Sequence, residues 1–519
     1  MSAILPVSHD RNGEHDADRG DRWPVEPLPM ATKLLGAVLV AAVGLAAGLL
    51  FGVGRSLLDR DAVMVLAVAV GVGAAVLAAT RFWAMVVVMF VARASLDAFK
   101  LDDYTKGANA LDPGVVVGLV FVAAAAAWLL AQWRSGELRR PSAPAAWFVG
   151  LASAATLSAL ASGSVSSLGV SLKVWAGALM LVVLEQAYRQ RPERVSVVLA
   201  AGAASLVVPA LVGFWQLSQP RELEKFLEVS RINGTFVHAN PYATYLVVVA
   251  VMAMALLPHL RGPAKAAAAL ALVAASVLTL FTYARGGWIA LVLGVLVVGS
   301  YQDRRLVAAV VAVSTAAFVF VPSVATRLSD LTDTTEIVNG NANSLSWRIG
   351  YWERLLPLAK ENPLTGIGLD QVMVRSPERL MPHNSYIQAL VEMGLFGIVA
   401  LAGLVLSTVV AVRTVVRRTA PGPTRAVAVG TAAIGVGWLV QMASENLLTQ
   451  AAIFWYLAGP VAYVLAVRDR LPAGDARTDD DEHDGDGRDG ADPSADEHDD
   501  PLAGTAAFAA APTAGATTG

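Results

Sequence analysis

Residues 385–411 read SYIQALVEMGLFGIVALAGLVLSTVVA, a run of 27 residues in which Glu392 is the only charged side chain. As an α-helix, this run would be about 40 Å long and would cross the roughly 30 Å hydrocarbon core of a bilayer. Similar apolar runs recur on both sides of it. We predict fourteen membrane-spanning helices, at about 31–54, 62–79, 82–99, 115–133, 146–162, 169–187, 195–217, 240–258, 264–282, 286–300, 304–322, 385–411, 424–444 and 447–467.

The composition of the chain agrees with this pattern. Hydrophobic residues make up 55% of the 519 residues, charged residues 16%, and the mean hydropathy is +0.56, beyond the usual range of soluble domains. The predicted fold class is an all-α, polytopic integral membrane protein with about 12–14 transmembrane helices and one long extracytoplasmic loop. Cysteine is absent, which excludes disulfides, thiolate metal sites and a cysteine nucleophile.

The chain divides into five predicted regions. The tail is strongly acidic, because residues 474–501 hold thirteen Asp and Glu against two Arg. Such a segment has too little apolar surface to pack, so we predict that it is disordered. The regions are a disordered cytoplasmic head at 1–30, transmembrane helices 1–11 at 31–322, an extracytoplasmic catalytic loop at 323–384, transmembrane helices 12–14 at 385–467 and a disordered acidic cytoplasmic tail at 468–519.

Basic residues in the short connections predict the orientation. Lys and Arg concentrate in loops on the cytoplasmic side of a membrane. With the N-terminus inside, the inner connections carry seventeen Lys and Arg, and the outer short connections carry about nine. We therefore predict a multi-pass protein of a bacterial inner or plasma membrane, with both termini in the cytoplasm and the long loop 323–384 outside.

Two polar segments at the predicted outer surface contain an arginine. The first runs from Arg231 to Pro241 and includes Asn240; the second is Tyr283-Ala284-Arg285-Gly286-Gly287-Trp288. An arginine at a helix N-terminus, beside the backbone N–H groups of two glycines, can bind a phosphate in a two-point fork. The alternatives are that Asn240 only caps a helix, that Arg231 is an exposed loop charge and that Arg285 is an interfacial residue that reaches toward water.

Two further segments lie in and after the long loop. Arg348 lies on a predicted amphipathic helix, 344–360, among aromatic residues that could support a sugar ring. His383 and Asn384 directly precede span 385–411, and an imidazole can act as a general base near neutral pH. The alternatives are a solvated helix face with a cation–π contact for Arg348, and a polar interfacial histidine followed by a capping Asn384. Glu392 lies about two turns into the bilayer, where a carboxylate needs a partner or a role.

These segments resemble the bacterial O-antigen ligase and O-antigen polymerase superfamily between about residues 231 and 397. His383-Asn384, nine residues and then Gly394-Leu395-Phe396-Gly397 fits the superfamily's spacing of histidine, small polar residue and two glycines. The other similar segments are Gly234-Thr235-Phe236 with Asn240-Pro241, Tyr283-Ala284-Arg285-Gly286, and Asn362-Pro363-Leu364-Thr365-Gly366-Ile367-Gly368, although Ala284 stands where serine is usual.

The resemblance implies a metal-independent, inverting glycosyltransferase without a cofactor. Such an enzyme moves a glycan from an undecaprenyl-diphosphate carrier to a glycan, lipid or protein acceptor at the outer membrane face, and it contacts no nucleic acid. By position, Arg285 and Arg348 would bind the diphosphate, with Arg231 as a third cation, and His383 would be the base. Ligase, polymerase and protein O-glycosyltransferase stay open. A transporter or flippase of a lipid-linked or anionic substrate is the alternative function, although we see no internal repeat of the kind that transporters carry.

Overall fold

The computed structural model describes residues 60–99, 113–219, 224–226, 229–320 and 345–472. Almost all of this part of the chain is helical, with one short antiparallel hairpin of β1 (Glu224–Phe226) and β2 (Val229–Arg231). The helices are α1 (Arg60–Leu96), α2 (Pro113–Arg134), α3 (Ala143–Ser162), α4 (Val165–Gln190), α5 (Arg194–Ala204), α6 (Val207–Ser218), α7 (Ala239–Leu256), α8 (Gly262–Phe281), α9 (Arg285–Gln302), α10 (Arg304–Phe320), α11 (Leu345–Ala359), α12 (Val372–Arg375), α13 (Ser385–Arg418), α14 (Pro423–Met442) and α15 (Ala451–Arg468).

Eleven helical segments within the described ranges are long and apolar enough to cross a membrane. The all-α, polytopic fold class is therefore confirmed. The first predicted span, 31–54, lies outside the described residues. The predicted span 304–322 corresponds to α10, which has 17 residues and is shorter than each of the eleven segments. The predicted span 195–217 corresponds to one of the eleven segments, Arg194–Ser218, which consists of two helices, α5 and α6, that follow one another closely.

Helix α1 contains the second and third predicted spans as two arms that meet at Arg81. The backbone of Arg81 is not helical, with φ −150° and ψ 69°. The Phe82 ring stacks on Trp128 near the end of α2. Phe90 then packs on Tyr456, whose neighbour Trp455 contacts Phe121, nearer the start of α2. In the first arm, a Cβ atom added to Gly71 would lie 2.5 Å from the Val116 side chain, near the start of α2. The first arm therefore runs along α2 and the second arm runs back, so the chain reverses its direction at Arg81.

The centre of the bundle is formed by α4, α7 and α15, which are buried over most of their length. Small residues allow these helices to approach closely. A Cβ atom added to Gly177 of α4 would lie 2.9 Å from the Phe148 ring and 3.2 Å from Phe454 of α15. Trp455 is fully buried, and its indole N–H donates to the Ala176 carbonyl at 3.1 Å. Glycine and alanine commonly hold membrane helices together in this way.

Helix α13 is broken at Gly394, where φ is 63° and ψ is −157°. The break frees backbone groups that the turn at 362–368 satisfies. Ile367 and Gly368 donate their N–H groups to the carbonyls of Val391 and Glu392, each at 3.1 Å. In return, Leu395 and Phe396 donate to the carbonyls of the same turn. This pairing allows an interrupted helix at membrane depth and fixes the turn that precedes His383.

Candidate functional site

The four polar segments predicted from the sequence meet at the connection between α14 and α15. Ser444 and Glu445 lie in this connection, and each of the four segments contacts one of them or a residue bound to them. We call the end of the bundle that holds Arg348, His383 and Glu445 the site end.

Arg231 ends strand β2 and is buried. Its Nε–H donates to the Thr282 carbonyl at 2.8 Å, and its Nη2 donates to the Asn240 side-chain oxygen at 2.5 Å. The second bond joins the hairpin to the start of α7. Arg231 is therefore not an exposed loop charge, because both ends of its guanidinium are bound within the bundle.

Asn240 connects Arg231 to a carboxylate that the sequence analysis did not single out. While its oxygen accepts from Arg231, its Nδ2 donates to Glu445 Oε1 at 2.6 Å. Burial raises the pKa of Glu445 to about 7, and the nearby Arg348 and Arg231 partly oppose this rise. The only sequence signal for Glu445 was an acidic residue between two spans at the end where the arginines were predicted.

Arg285 is the first residue of α9 and is partly buried. The side chain of Gln441, in the last turn of α14, donates to the carbonyl of the adjacent Gly286 at 3.3 Å. A Cβ atom added to Gly286 would lie 3.4 Å from Ser444 Oγ. The start of α9 therefore lies directly against the Ser444–Glu445 connection.

Arg348 lies on α11, the amphipathic helix predicted at 344–360. Its Nη1 donates to the Ser444 carbonyl at 2.8 Å. Its Nε is buried and has no hydrogen-bond partner among the described residues. The helix is fixed by its aromatic face, because the Tyr351 hydroxyl donates to the Leu380 carbonyl at 2.5 Å and the Trp352 indole donates to the Pro382 carbonyl at 2.7 Å. These bonds also hold the strand of chain that leads to His383.

His383 has a positive φ of 49°, an uncommon conformation for a residue other than glycine. Burial lowers the pKa of its imidazole to about 4, and the charges of Arg348 and His238 lower it further in the same direction. At neutral pH the imidazole is therefore uncharged and can accept a proton. His238, which contributes to this shift, is exposed.

Asn384 caps helix α13, as the alternative interpretation held. Its Oδ1 accepts from the N–H groups of Tyr386 at 2.9 Å and Ile387 at 3.1 Å. The next residue, Ser385, donates its hydroxyl to the Glu445 carbonyl at 2.7 Å and accepts from the Leu447 N–H at 2.9 Å. The start of α13 is thus bound to the same connection as Arg348.

Glu392 does not join this group of residues. Its side chain is buried and accepts from the Val372 N–H at 3.2 Å and from the Gln388 amide at 2.9 Å. Both partners belong to the elements that surround the break in α13. The partners expected for this carboxylate are therefore a backbone N–H group and a neighbouring amide. These contacts of Glu392 hold the loop around Val372 to helix α13.

Comparison with known proteins identifies one segment of the chain. Residues 270–402 match the family model described as O-antigen ligase. The match includes Arg285, Arg348 and His383, whereas Arg231, Asn240 and Glu445 lie outside it. A search of curated proteins found no match. The resemblance to the O-antigen ligase and polymerase superfamily is confirmed over the matched residues.

Proposed function

Residues 270–402 carry an O-antigen ligase domain, and from this premise we propose that the protein transfers a glycan from an undecaprenyl-diphosphate carrier to an acceptor hydroxyl. The reaction is an inverting, metal-independent transfer at the outer face of the membrane. Diphosphate binding is assigned to Arg285, Arg348 and Arg231, and the base is His383. Asn240, Asn384 and Glu445 hold these groups in place.

The observation that carries this proposal is that Arg348 and the chain at His383 are held at the same place. Arg348 donates to the Ser444 carbonyl, and its buried Nε keeps an unused donor. Ser385, two residues after His383, donates to the adjacent Glu445 carbonyl, and Trp352 of α11 donates to the carbonyl of Pro382, so the two groups can act on one substrate. A guanidinium suits a diphosphate and a neutral imidazole suits a hydroxyl, and these are the two groups that meet in a glycosyl transfer.

In the proposed step, the acceptor hydroxyl attacks the anomeric carbon while its proton passes to His383. The bond between that carbon and the diphosphate oxygen breaks, and the electron pair leaves with the diphosphate. Arginines that stabilise the charge developing on the leaving oxygen lower the barrier. Attack from the opposite face inverts the configuration of the anomeric carbon. Because the leaving group departs as an anion, the chemistry can proceed without a metal.

Binding of the diphosphate would also strengthen the base. In the free protein, the positive charge of Arg348 disfavours a second positive charge on His383. A diphosphate beside Arg348 supplies negative charge, which raises the pKa of the imidazole and makes it a better proton acceptor. The base would therefore be most effective when the donor is in place.

The distribution of charge supports the proposed orientation. Arg139, Arg189 and Arg470 meet at the end of the bundle opposite the site end, where Arg189 donates to the Arg140 carbonyl at 2.8 Å and Arg470 donates to the Tyr188 carbonyl at 2.9 Å. Basic residues favour the cytoplasmic side. We therefore place the site end outside and both termini in the cytoplasm of a bacterial cell.

The test is glycan analysis of cells that lack the chain and are complemented with a variant. We expect the wild type to restore a surface glycan, and His383→Gln to leave its lipid-linked precursor accumulated. His259→Gln, at the opposite end of α7, is the matched control and should behave as wild type. Full activity of His383→Gln would refute the assigned base. Movement of the lipid carrier by the purified protein, without formation of a glycosidic bond, would favour a flippase instead.

A further inference from the structure

A cavity of about 420 Å³ lies among α13, α14 and α15, and its wall includes Tyr301 of α9. This volume is within the range of small-molecule sites, roughly 300–1,000 Å³. Val409 and Val436 line the cavity, yet 50% and 38% of their surface is exposed. The cavity therefore opens sideways between α13 and α14, toward the lipid that surrounds a membrane protein.

The charged lining of the cavity lies at one end. Arg413 and Arg417 are one turn apart near the C-terminal end of α13, and Tyr301 lies in the last turn of α9. Since both helices start at the site end, these three side chains mark the opposite end. From there toward the site end the wall is largely apolar, as far as Met442 and Leu448. The cavity thus has the polarity of a lipid, with a charged end and an apolar body.

The two arginines lack a counter-charge in the part of the chain that the structure describes, where they make neither a hydrogen bond nor an ion pair. Like charges four residues apart on a helix repel each other, so a bound anion would remove a cost as well as add contacts. Guanidinium groups bind phosphate through two parallel hydrogen bonds. The charge of this end therefore favours a phosphate-containing head group.

We propose that the cavity binds one anionic glycerophospholipid of the surrounding leaflet, with its phosphate at Arg413 and Arg417 and an acyl chain along α13. From Arg413 to Leu401 the helix rises by about 18 Å, close to the roughly 15 Å depth of one hydrocarbon leaflet. The head group would lie at the end opposite Arg348 and His383. The site is therefore separate from the proposed donor site, and the inference does not rest on the proposed function.

Native mass spectrometry of the full-length protein, released from detergent, tests this proposal. The probes are dioleoylphosphatidylglycerol and dioleoylphosphatidylcholine, added separately at equal concentrations. We expect tighter binding of phosphatidylglycerol, and about tenfold or greater loss of that binding in Arg413→Gln/Arg417→Gln, since each basic residue near an anionic head group contributes roughly fivefold. The matched control is Arg304→Gln/Arg305→Gln, which removes the same charge from α10, outside the cavity, and should bind as wild type.

A second variant tests the apolar body of the cavity without changing charge. Gly435 lines the cavity, and a Cβ atom added there would meet nothing within 4 Å. Gly435→Leu should therefore fold normally, occupy the space of the acyl chain and reduce the bound fraction severalfold. Equal binding of the two lipids, or unchanged binding in both cavity variants, would overturn the proposal. Displacement of the bound lipid by undecaprenyl phosphate at equal concentration would overturn it too, since it would assign the cavity to the polyprenyl chain.

Discussion

The two ends of the bundle both contain buried arginines, but these arginines bind different kinds of partner. At the opposite end, Arg189 lies 2.6 Å from the Glu185 carboxylate and also pairs with Asp469. At the site end, the guanidinium groups of Arg231 and Arg348 donate to the Thr282 and Ser444 carbonyls, and Asn240 links Arg231 to Glu445. The first arrangement is a set of ion pairs that ties α4 to the end of α15, whereas in the second Arg348 keeps a buried Nε donor without a partner among the described residues.

This difference in partners distinguishes structural from functional arginines in this fold. A buried ion pair that is complete within the protein costs most when one partner is removed, because the other charge is then left unpaired. An arginine that serves a ligand instead loses binding and rate when it is removed, with less effect on the fold.

Arg348→Gln should lower kcat/KM for the lipid-linked donor by about 10²–10³-fold, the range found when a donor to developing negative charge is lost. The thermal midpoint should change little, because the substitution removes one hydrogen bond to the protein, from the Arg348 Nη1 to the Ser444 carbonyl at 2.8 Å. Arg189→Gln at the opposite end should show the reverse, with a lowered midpoint and near-normal turnover in the surviving protein. Transfer assays and thermal unfolding in detergent measure both. If the two variants behave alike, the contrast between the ends is wrong.

Gly394→Ala should destabilise the site end by about 2–3 kcal/mol, since non-glycine residues are strained in this backbone region. The added Cβ would also lie 2.6 Å from the Gly366 N atom, in the turn that holds the chain before His383. Gly435→Ala is the matched control, because its Cβ meets nothing within 4 Å. Unfolding midpoints of the two variants provide the comparison. Equal midpoints would show that the break in α13 does not depend on a glycine at position 394.

Much of the fold follows from the sequence, because apolar runs of sufficient length have few alternatives to crossing the membrane. The sequence also predicted the division of α1, because the predicted spans 62–79 and 82–99 leave Arg81 between them, where the backbone is not helical. It also predicted the four segments of the candidate site. It missed Glu445, since the importance of this residue comes from its contact with Asn240, 205 positions away. The role of Glu392 could not be predicted either, because one of its two partners is the backbone N–H group of Val372, which leaves no signal in the sequence.

Glu445→Ala should lower kcat/KM by roughly tenfold, because it removes a charge-assisted hydrogen bond from Asn240 and frees the side chain that orients Arg231. Glu445→Gln retains an acceptor oxygen for Asn240 and should stay within about threefold of wild type on the same reasoning. The control at the opposite end is Asp469→Ala, which should affect the thermal midpoint but not kcat/KM. If Glu445→Gln is as impaired as Glu445→Ala, the negative charge itself is required, and the positioning role is wrong.

The smallest expected effect is a shift in the pH dependence of transfer. Since the pKa of His383 is lowered to about 4 by burial, Arg348 and His238, the imidazole of the free protein is neutral above that pH and is lost as a base below it. The acid limb of kcat/KM should therefore fall near pH 4, and that of kcat should lie higher, because the bound diphosphate offsets the charge of Arg348. Protonation of Glu445 as the pH falls through its pKa of about 7 should change kcat/KM by no more than about threefold, as in Glu445→Gln. The ordinary pKa of histidine is about 6.5. If the acid limbs of kcat/KM and kcat coincide near that pH, Arg348 does not act on His383.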